Sequence, residues 1–181
     1  MSQLHLPYEI LEQRIADLPA APTSEGRVVL VVVRPETDQR VTPQRCRFTP
    51  EHGVEGDRWC KRTTRVLDSQ VTMMRADIAG VIANGQSLAL SGDNLLVDLD
   101  LSRENLPDGT RLRIGTAVVE VTAKPHNGCA KFAARFGEDA RAVIGADRFK
   151  AWRLRGIHVR VVGAGDASPG DPITVLSREA S

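Results

Sequence analysis

The chain has 181 residues, 41% of them hydrophobic and 26% charged, and 24 Lys+Arg against 23 Asp+Glu leave a formal net charge of +1. This is the composition of an ordinary folded protein, long enough to bury about 70% of its unfolded surface without disulfides, and it gives no global basic field for a nucleic-acid partner. No apolar run approaches a membrane span, Met1 to Leu18 lacks the basic and apolar blocks of a signal peptide, and three cysteines do not make a disulfide framework, so the expected setting is a reducing cytoplasm with no membrane.

Leu4 to Leu18 is predicted to be an amphipathic helix, with Pro7 in its first turn and Tyr8, Leu11, Ile15 and Leu18 on one face. Pro19 to Gly26 breaks it with prolines and small residues. Residues 1–25 are therefore read as a helical extension and linker, and 26–181 as the folded domain. Arg27 to Arg34 holds six consecutive apolar residues, mostly β-branched, which predicts a strand buried on both sides.

Shorter strands are expected at Gln39 to Thr42 and Arg45 to Thr49. The run Glu51 to Trp59 is a loop with two glycines, three carboxylates, a histidine and an arginine, a mixture common to surface turns and to sites. Cys46, His52 and Cys60 fit no usual zinc spacing. Ser69 to Met74 is a strand candidate, and Ala76 to Asn84 a helix stopped by Gly85. Ser91 to Val97 reads as a turn feeding a strand, and Leu106 to Thr110 as a turn. Arg111 to Ile114 and Ala117 to Thr122 form the clearest hairpin.

The next stretch, Lys124 to Phe136, is the most informative chemically. Pro125, Asn127 and Gly128 spell a turn, and Cys129 to Phe136 has helical composition, so Cys129 is expected at a helix start. Free backbone N–H groups there, with Lys124, His126, Lys131 and Arg135 nearby, favour a thiolate, which is a nucleophile, a persulfide carrier or a soft-metal ligand. Against this stands the ordinary buried cysteine that only packs. Helical pieces follow at Glu138 to Val143 and Ala146 to Leu154, then strands at Ile157 to Val162 and Ile173 to Leu176. Seven or eight short strands with few helices predict a mainly β protein, a closed β-barrel with short helices on its rim.

Taken in order, Gly53-Val54-Glu55-Gly56-Asp57-Arg58-Trp59, Gly92-Asp93-Asn94-Leu95, Leu106 to Gly115, Pro125-His126-Asn127-Gly128-Cys129, Arg155-Gly156-Ile157 and Pro169-Gly170-Asp171 resemble the MOSC domain. That module is named for the C-terminal part of molybdenum cofactor sulfurases. The resemblance spans roughly Gly26 to Leu176, and the three residues between Pro125 and Cys129 place the chain with small standalone bacterial-type members. It implies a barrel of the pyruvate-kinase kind and a single cysteine, here Cys129, that carries sulfur as a persulfide or ligates molybdenum. It also implies that sulfur comes from another protein, because a chain of this length has no room for the pyridoxal-phosphate desulfurase domain of the larger sulfurases.

A receptor for the molybdenum cofactor (molybdopterin) needs a soft ligand, a phosphate site and donors to the pterin. Cys129 is the candidate for the first; Arg58, Arg111, Arg113, Lys131 and Arg135 are candidates for the second; Asp57 and Asn94 are polar groups expected at the barrel mouth. Four readings follow as expectations. One is a sulfur carrier fed by a cysteine desulfurase. Another is a molybdenum-dependent reductase of N-hydroxylated compounds, which needs a separate electron-donor reductase because three scattered cysteines cannot hold an iron–sulfur cluster. Different classes are a cysteine nucleophile with His126 as base, and a non-catalytic module using Trp59, Phe132 and Phe136 as partner contacts.

Overall fold

A computed structural model of the chain describes residues 4–178; the first three residues of the predicted extension and the last three of the predicted domain lie outside it. Ten strands and four α-helices occur in the described residues: α1 (Tyr8–Ala16), β1 (Glu25–Val31), β2 (Cys46–Thr49), β3 (Gly53–Val54), β4 (Val71–Arg75), α2 (Ala76–Ala83), β5 (Leu95–Asp98), β6 (Arg111–Ile114), β7 (Ala117–Val121), α3 (Ala130–Phe136), α4 (Glu138–Ile144), β8 (Ile157–Gly163), β9 (Gly165–Ala167) and β10 (Pro172–Ser177). Seven strands close into a barrel in the order β1-β10-β6-β7-β8-β4-β5, and a small sheet β3-β2-β9 stands apart. All barrel pairs are antiparallel except β4 with β5, which α2 joins in parallel.

Two apolar cores share one wall. Val28, Val31, Met73, Leu95, Val97, Leu112, Val119, Val159 and Ile173 fill the barrel. Leu11, Ile15, Met74, Ile78, Leu96, Phe132, Phe136, Val143 and Phe149 form a second core outside it, built from α1 to α4 against the sheet. Successive residues of a strand face opposite sides, so Met73 and Leu95 point into the barrel while Met74 and Leu96 point into the helical layer. The wall β4–β5 is thus buried on both faces, which is why these strands carry unbroken apolar runs rather than alternation. By contrast β7, with no helix over it, alternates between buried and half-buried residues.

Several expectations are corrected here. The apolar run after Arg27 is not buried on both sides: a bulge between Val28 and Leu30 turns Val29 out, 42% exposed, while Val28 and Val31 stay inside. Gln39 to Thr42 contributes only a bridge between Val41 and Val33, prolines at 35 and 43 limiting the ladder on either side. β2 lies in the small sheet, not in the barrel. Residues 147–152 form a short 3-10 helix. The helix start at Tyr8 has Pro7 as its extended N-cap, and α1 buries Leu11 and Ile15.

Candidate functional site

The site is built around the turn Ser91-Gly92-Asp93-Asn94 that feeds β5. Asn94, wholly buried, stitches three elements together: its side-chain amide donates to the Val32 carbonyl at 3.2 Å and to Asp57 Oδ2 at 2.9 Å, and its Oδ1 accepts from Arg34 at 2.8 Å and Thr72 Oγ1 at 3.3 Å. Asp57 is equally buried and caps the short 3-10 helix Arg58–Lys61 by accepting from the Trp59 N–H at 3.0 Å. It also accepts from the backbone N–H of Arg34 at 3.0 Å and from its guanidinium at 2.8 and 3.2 Å. Burial alone pushes the Asp57 carboxyl up, but the Arg34 bonds and charge, with the Trp59 N–H, outweigh it and hold the group below the ordinary carboxylate range.

Arg34 then reaches the Gly92 carbonyl at 2.8 Å. Gly92 has φ +81°, and a Cβ built there would lie 3.5 Å from Arg135 Nη1 and 3.8 Å from Arg40 Nη2. The turn is therefore roofed by guanidinium groups. Arg135 donates to the Leu90 carbonyl at 3.3 Å and pairs with Asp38 at 2.9 Å. Burial, then the charge of Arg135, with Arg58 and Arg34 adding to it, pushes Arg40 below its ordinary value against the pull of Asp38. Arg34 pairs with Asp57 and Arg135 with Asp38, whereas Arg40 and Arg58 make no ion pair among the described residues, and the buried Nε of Arg40 has no hydrogen-bond partner. Such a surplus of planar donors is chemically suited to an anion.

On the other side of the turn, Asp93 is wholly buried and accepts from Arg155 Nη1 at 2.6 Å, while Arg155 Nη2 donates to the Ser91 carbonyl at 3.2 Å. The Arg155 guanidinium lies over the Phe132 ring of α3, 5.0 Å from its centroid. Gly156 makes this placement possible: its φ is +95°, and any Cβ there would collide with the Met73 carbonyl oxygen on β4. His126 Nδ1 stands 3.6 Å from Asp93 Oδ1, and its ring packs on His158 with centroids 4.5 Å apart. Burial first, then Arg155, His158 and Arg34, hold His126 well below the ordinary imidazole value. His158, buried too, is also lowered, although its Nδ1–H donates to the Lys124 carbonyl at 3.2 Å. Asp93 Oδ1, His126 Nδ1 and Arg155 Nε are buried without hydrogen-bond partners, and His126, Asn127, Arg153 and Arg155 line a cavity of about 310 Å³.

Cys129 is the N-cap of α3, with extended backbone, and is exposed. What burial it has pushes the thiol up, but the backbone N–H groups of Phe132 and Lys131 and the charge of Arg155 outweigh it, and the net direction is down. The buried Cys46 is pushed the other way, to about 11, by desolvation first and then Glu55. Cys60 donates its S–H to the Asp57 carbonyl at 3.0 Å.

Of the residues singled out in the sequence, Asp57, Arg58, Asn94 and Arg135 lie around the same turn, and His126 reaches it through Asp93. Lys131 is exposed beside Cys129. Arg113 does not join them: it is exposed on β6, opposite Thr174 of β10 and Val118 of β7, on the part of the barrel that carries no residue of the cluster. Arg111 is paired with Glu120 at 3.2 Å. Trp59, Phe132 and Phe136 are 2%, 1% and 2% exposed, so they pack beneath the loops and are not surface contacts. His126 makes no hydrogen bond to Cys129 among the described residues; its neighbours are Asp93, Arg155 and His158. Arg34, Arg40, Asp93, Arg155 and His158 were not singled out; only Asp93 and Arg155, inside the motif pieces, left a signal.

The family model of the MOSC domain matches residues 69–174, a span that includes Asp93, His126, Cys129 and Arg155 but not Arg34, Arg40, Asp57 or Arg58. No curated protein matches. Among solved structures, the chain is similar to YiiM from Escherichia coli, with a TM-score of 0.57 and 21% identity over 86% of this chain and 72% of that one. YiiM from Geobacillus stearothermophilus gives 0.58 and 18%, over 84% and 76%, and the YuaD protein from Bacillus subtilis 0.56 and 14%, over 82% and 94%. At these identities the likeness is one of fold.

Proposed function

Because this chain belongs to the MOSC domain family, we propose that it binds the molybdenum cofactor against the arginine-roofed turn at Gly92 and that Cys129 carries sulfur there as a persulfide. The observation that carries this reading is an exposed, thiolate-favouring Cys129 at the start of the helix that carries Arg135, one of the arginines over the Gly92 turn. The residues fit the group. Arg34, Arg40, Arg58 and Arg135 suit its phosphate, with the partnerless Arg40 Nε a donor still to be satisfied. His126 and Arg155, each with a nitrogen lacking a hydrogen-bond partner, line the neighbouring cavity and suit the polar edge of a pterin. Cys129 is the soft atom. When bound, the cofactor supplies a molybdenum centre for redox chemistry on a small substrate.

The exposure of Cys129 favours the carrier over a ligand buried in the mouth, since a carrier has to meet its donor. In the loading step the Cys129 thiolate attacks the outer sulfur of a persulfide on a donor protein. A new S–S bond forms at Cys129 Sγ, the donor's S–S bond breaks, and the donor cysteine leaves as thiolate with no net redox change. The N–H groups of Lys131 and Phe132, with the charge of Arg155, outweigh the burial of the thiol and favour the thiolate that makes this attack. His126, held neutral, is not an acid for it; its part is to pack between Asp93 and His158 and line the cavity.

Mass spectrometry after incubation with a cysteine desulfurase and cysteine tests the reading. A sulfur-sized increment on the native protein, absent from Cys129→Ser, is expected. An increment that survives in Cys129→Ser refutes the carrier role, and loss of molybdenum retention in that variant, with no increment on the native protein, reassigns the thiol as a metal ligand.

A further inference from the structure

Residues 61–68 are exposed without interruption, and this run contains two aliphatic side chains turned to solvent, Val66 at 43% and Leu67 at 53% exposure. Its cations are short of partners. Lys61 pairs with Glu36 at 2.5 Å, but Arg62 makes no ion pair among the described residues, and Arg65 donates to the Glu51 carbonyl at 3.0 Å and lies 5.7 Å from the Trp59 ring centroid without meeting a carboxylate. The one carboxylate of the run, Asp68, lies 3.8 Å from Arg160. The strap that leads to Cys129 lies alongside: Thr122 Oγ1 donates to the Asp68 carbonyl at 2.6 Å, and Lys124 Nζ reaches Ser69 Oγ at 3.4 Å. Cys129 is five residues from Lys124, a reach of no more than about 18 Å even fully extended.

We propose that this face, with Val66 and Leu67 at its centre and Arg62, Arg65 and Lys124 around them, docks an acidic surface of a protein that delivers its sulfur to Cys129. The proposal rests on the reading of Cys129 given above for what the partner brings, but not for where it binds. An apolar centre with a charged margin is the anatomy of a protein interface. In a chain of net charge +1 three uncompensated cations are a local feature, and they steer an acidic partner toward the thiol. They are fewer than the roughly four to eight cations that hold a segment to an anionic membrane. The aromatic that would stack a base, Trp59, is buried.

Two synthetic peptides test this, each with one cysteine activated as its mixed disulfide with 2-thiopyridine, one rich in glutamate and one rich in lysine. Exchange with the Cys129 thiolate forms the protein–peptide disulfide and releases thiopyridone, read by its absorbance, in a Cys46→Ala/Cys60→Ala background. The acidic peptide is expected to react about tenfold or more faster at low salt, the advantage disappearing at high ionic strength. Arg62→Glu/Arg65→Glu/Lys124→Glu should abolish that preference, each peptide rate being divided by the rate of the same variant with neutral iodoacetamide so that any change in the thiolate itself cancels. Equal peptide rates, or a preference untouched by the triple reversal, would overturn the docking face. So would protection of Cys129 by phosphatidylserine vesicles or an oligothymidylate that the triple reversal removes. The two readings fail separately: a slow iodoacetamide reaction with the peptide preference intact removes the role of Cys129, and a fast one with the preference lost removes the docking face.

Discussion

Asp57→Asn is the substitution that probes the site with the least change of shape. The carboxylate accepts five hydrogen bonds, three on Oδ2 from the Arg34 N–H, Arg34 Nε and Asn94 Nδ2, and two on Oδ1 from Arg34 Nη2 and the Trp59 N–H. An amide keeps one oxygen, so at best the Oδ2 set survives while an NH₂ is turned against the Arg34 and Trp59 donors. Two bonds to a charged acceptor are lost at about 1.5–3 kcal/mol each, and Arg34 loses its buried counter-charge, so a destabilisation of about 3–5 kcal/mol is expected. For a chain of this length that is a fall in Tm of roughly 10 °C, measured by urea and thermal unfolding at neutral pH. Acid provides the second readout. Asp57 is held low in the folded chain, so its contribution is complete above the unfolded carboxylate value near about 4 and is lost as pH falls through the lower folded value. The variant should therefore be weaker at neutral pH yet show a shallower acid limb. A cost below about 1 kcal/mol, or an acid limb as steep as in the native protein, would refute the account of this network.

Iodoacetamide should modify Cys129 far faster than Cys46, by a factor on the order of a hundred or more near neutral pH, because one thiol is lowered and the other raised to about 11; rates on single-cysteine variants check this. His126 and His158 are both lowered, so the native state binds fewer protons than the unfolded chain as pH falls below about 6.5. Stability should be full above that value and decline below it, and His126→Gln should flatten the slope between about pH 6.5 and 5 in urea unfolding. Arg58→Ala and Arg135→Ala should each weaken cofactor retention by roughly 10- to 100-fold, measured as bound molybdenum and pterin, with little change in Tm. Gly156→Ala should cost about 4 kcal/mol or prevent folding, since its new Cβ meets the Met73 carbonyl at a positive φ; soluble yield and unfolding midpoint decide it.

The barrel was legible because most of its strands are local patterns. β6 and β7 are joined by Gly115-Thr116, β8 alternates apolar and polar residues in sequence from Ile157 to Val161, and α1 repeats Leu11 and Ile15 on one face. Cys129 was legible as a helix start because Gly128 and the apolar spacing after it are adjacent in sequence. The arginine roof was less so, because it is assembled from chain positions 34, 40, 58 and 135, and an arginine ending a strand looks like any solvated charge until its partner is known. Arg113 stands apart from the cluster for the complementary reason: it lies within a motif piece, yet strand alternation turns it out of the barrel away from the Gly92 turn. The bulge at Val29 was hidden because a uniform run of β-branched residues does not show where the ladder slips a residue.

The wall of β4 and β5 leaves the helical layer without a sheet of its own. Met74 and Leu96 are the floor of that layer while Met73 and Leu95, their chain neighbours, are part of the barrel filling. A layer that borrows its floor cannot loosen as an independent unit, so opening of α3 and breathing of the barrel belong to one cooperative event. Amide protons of β4, β5 and α3 should then exchange with closely similar free energies of opening. Cys129, although exposed at the molecular surface, is by this route the N-cap of a helix whose Phe132 and Phe136 are anchored on the barrel wall, so its orientation is set by the barrel as well as by the loop that bears it.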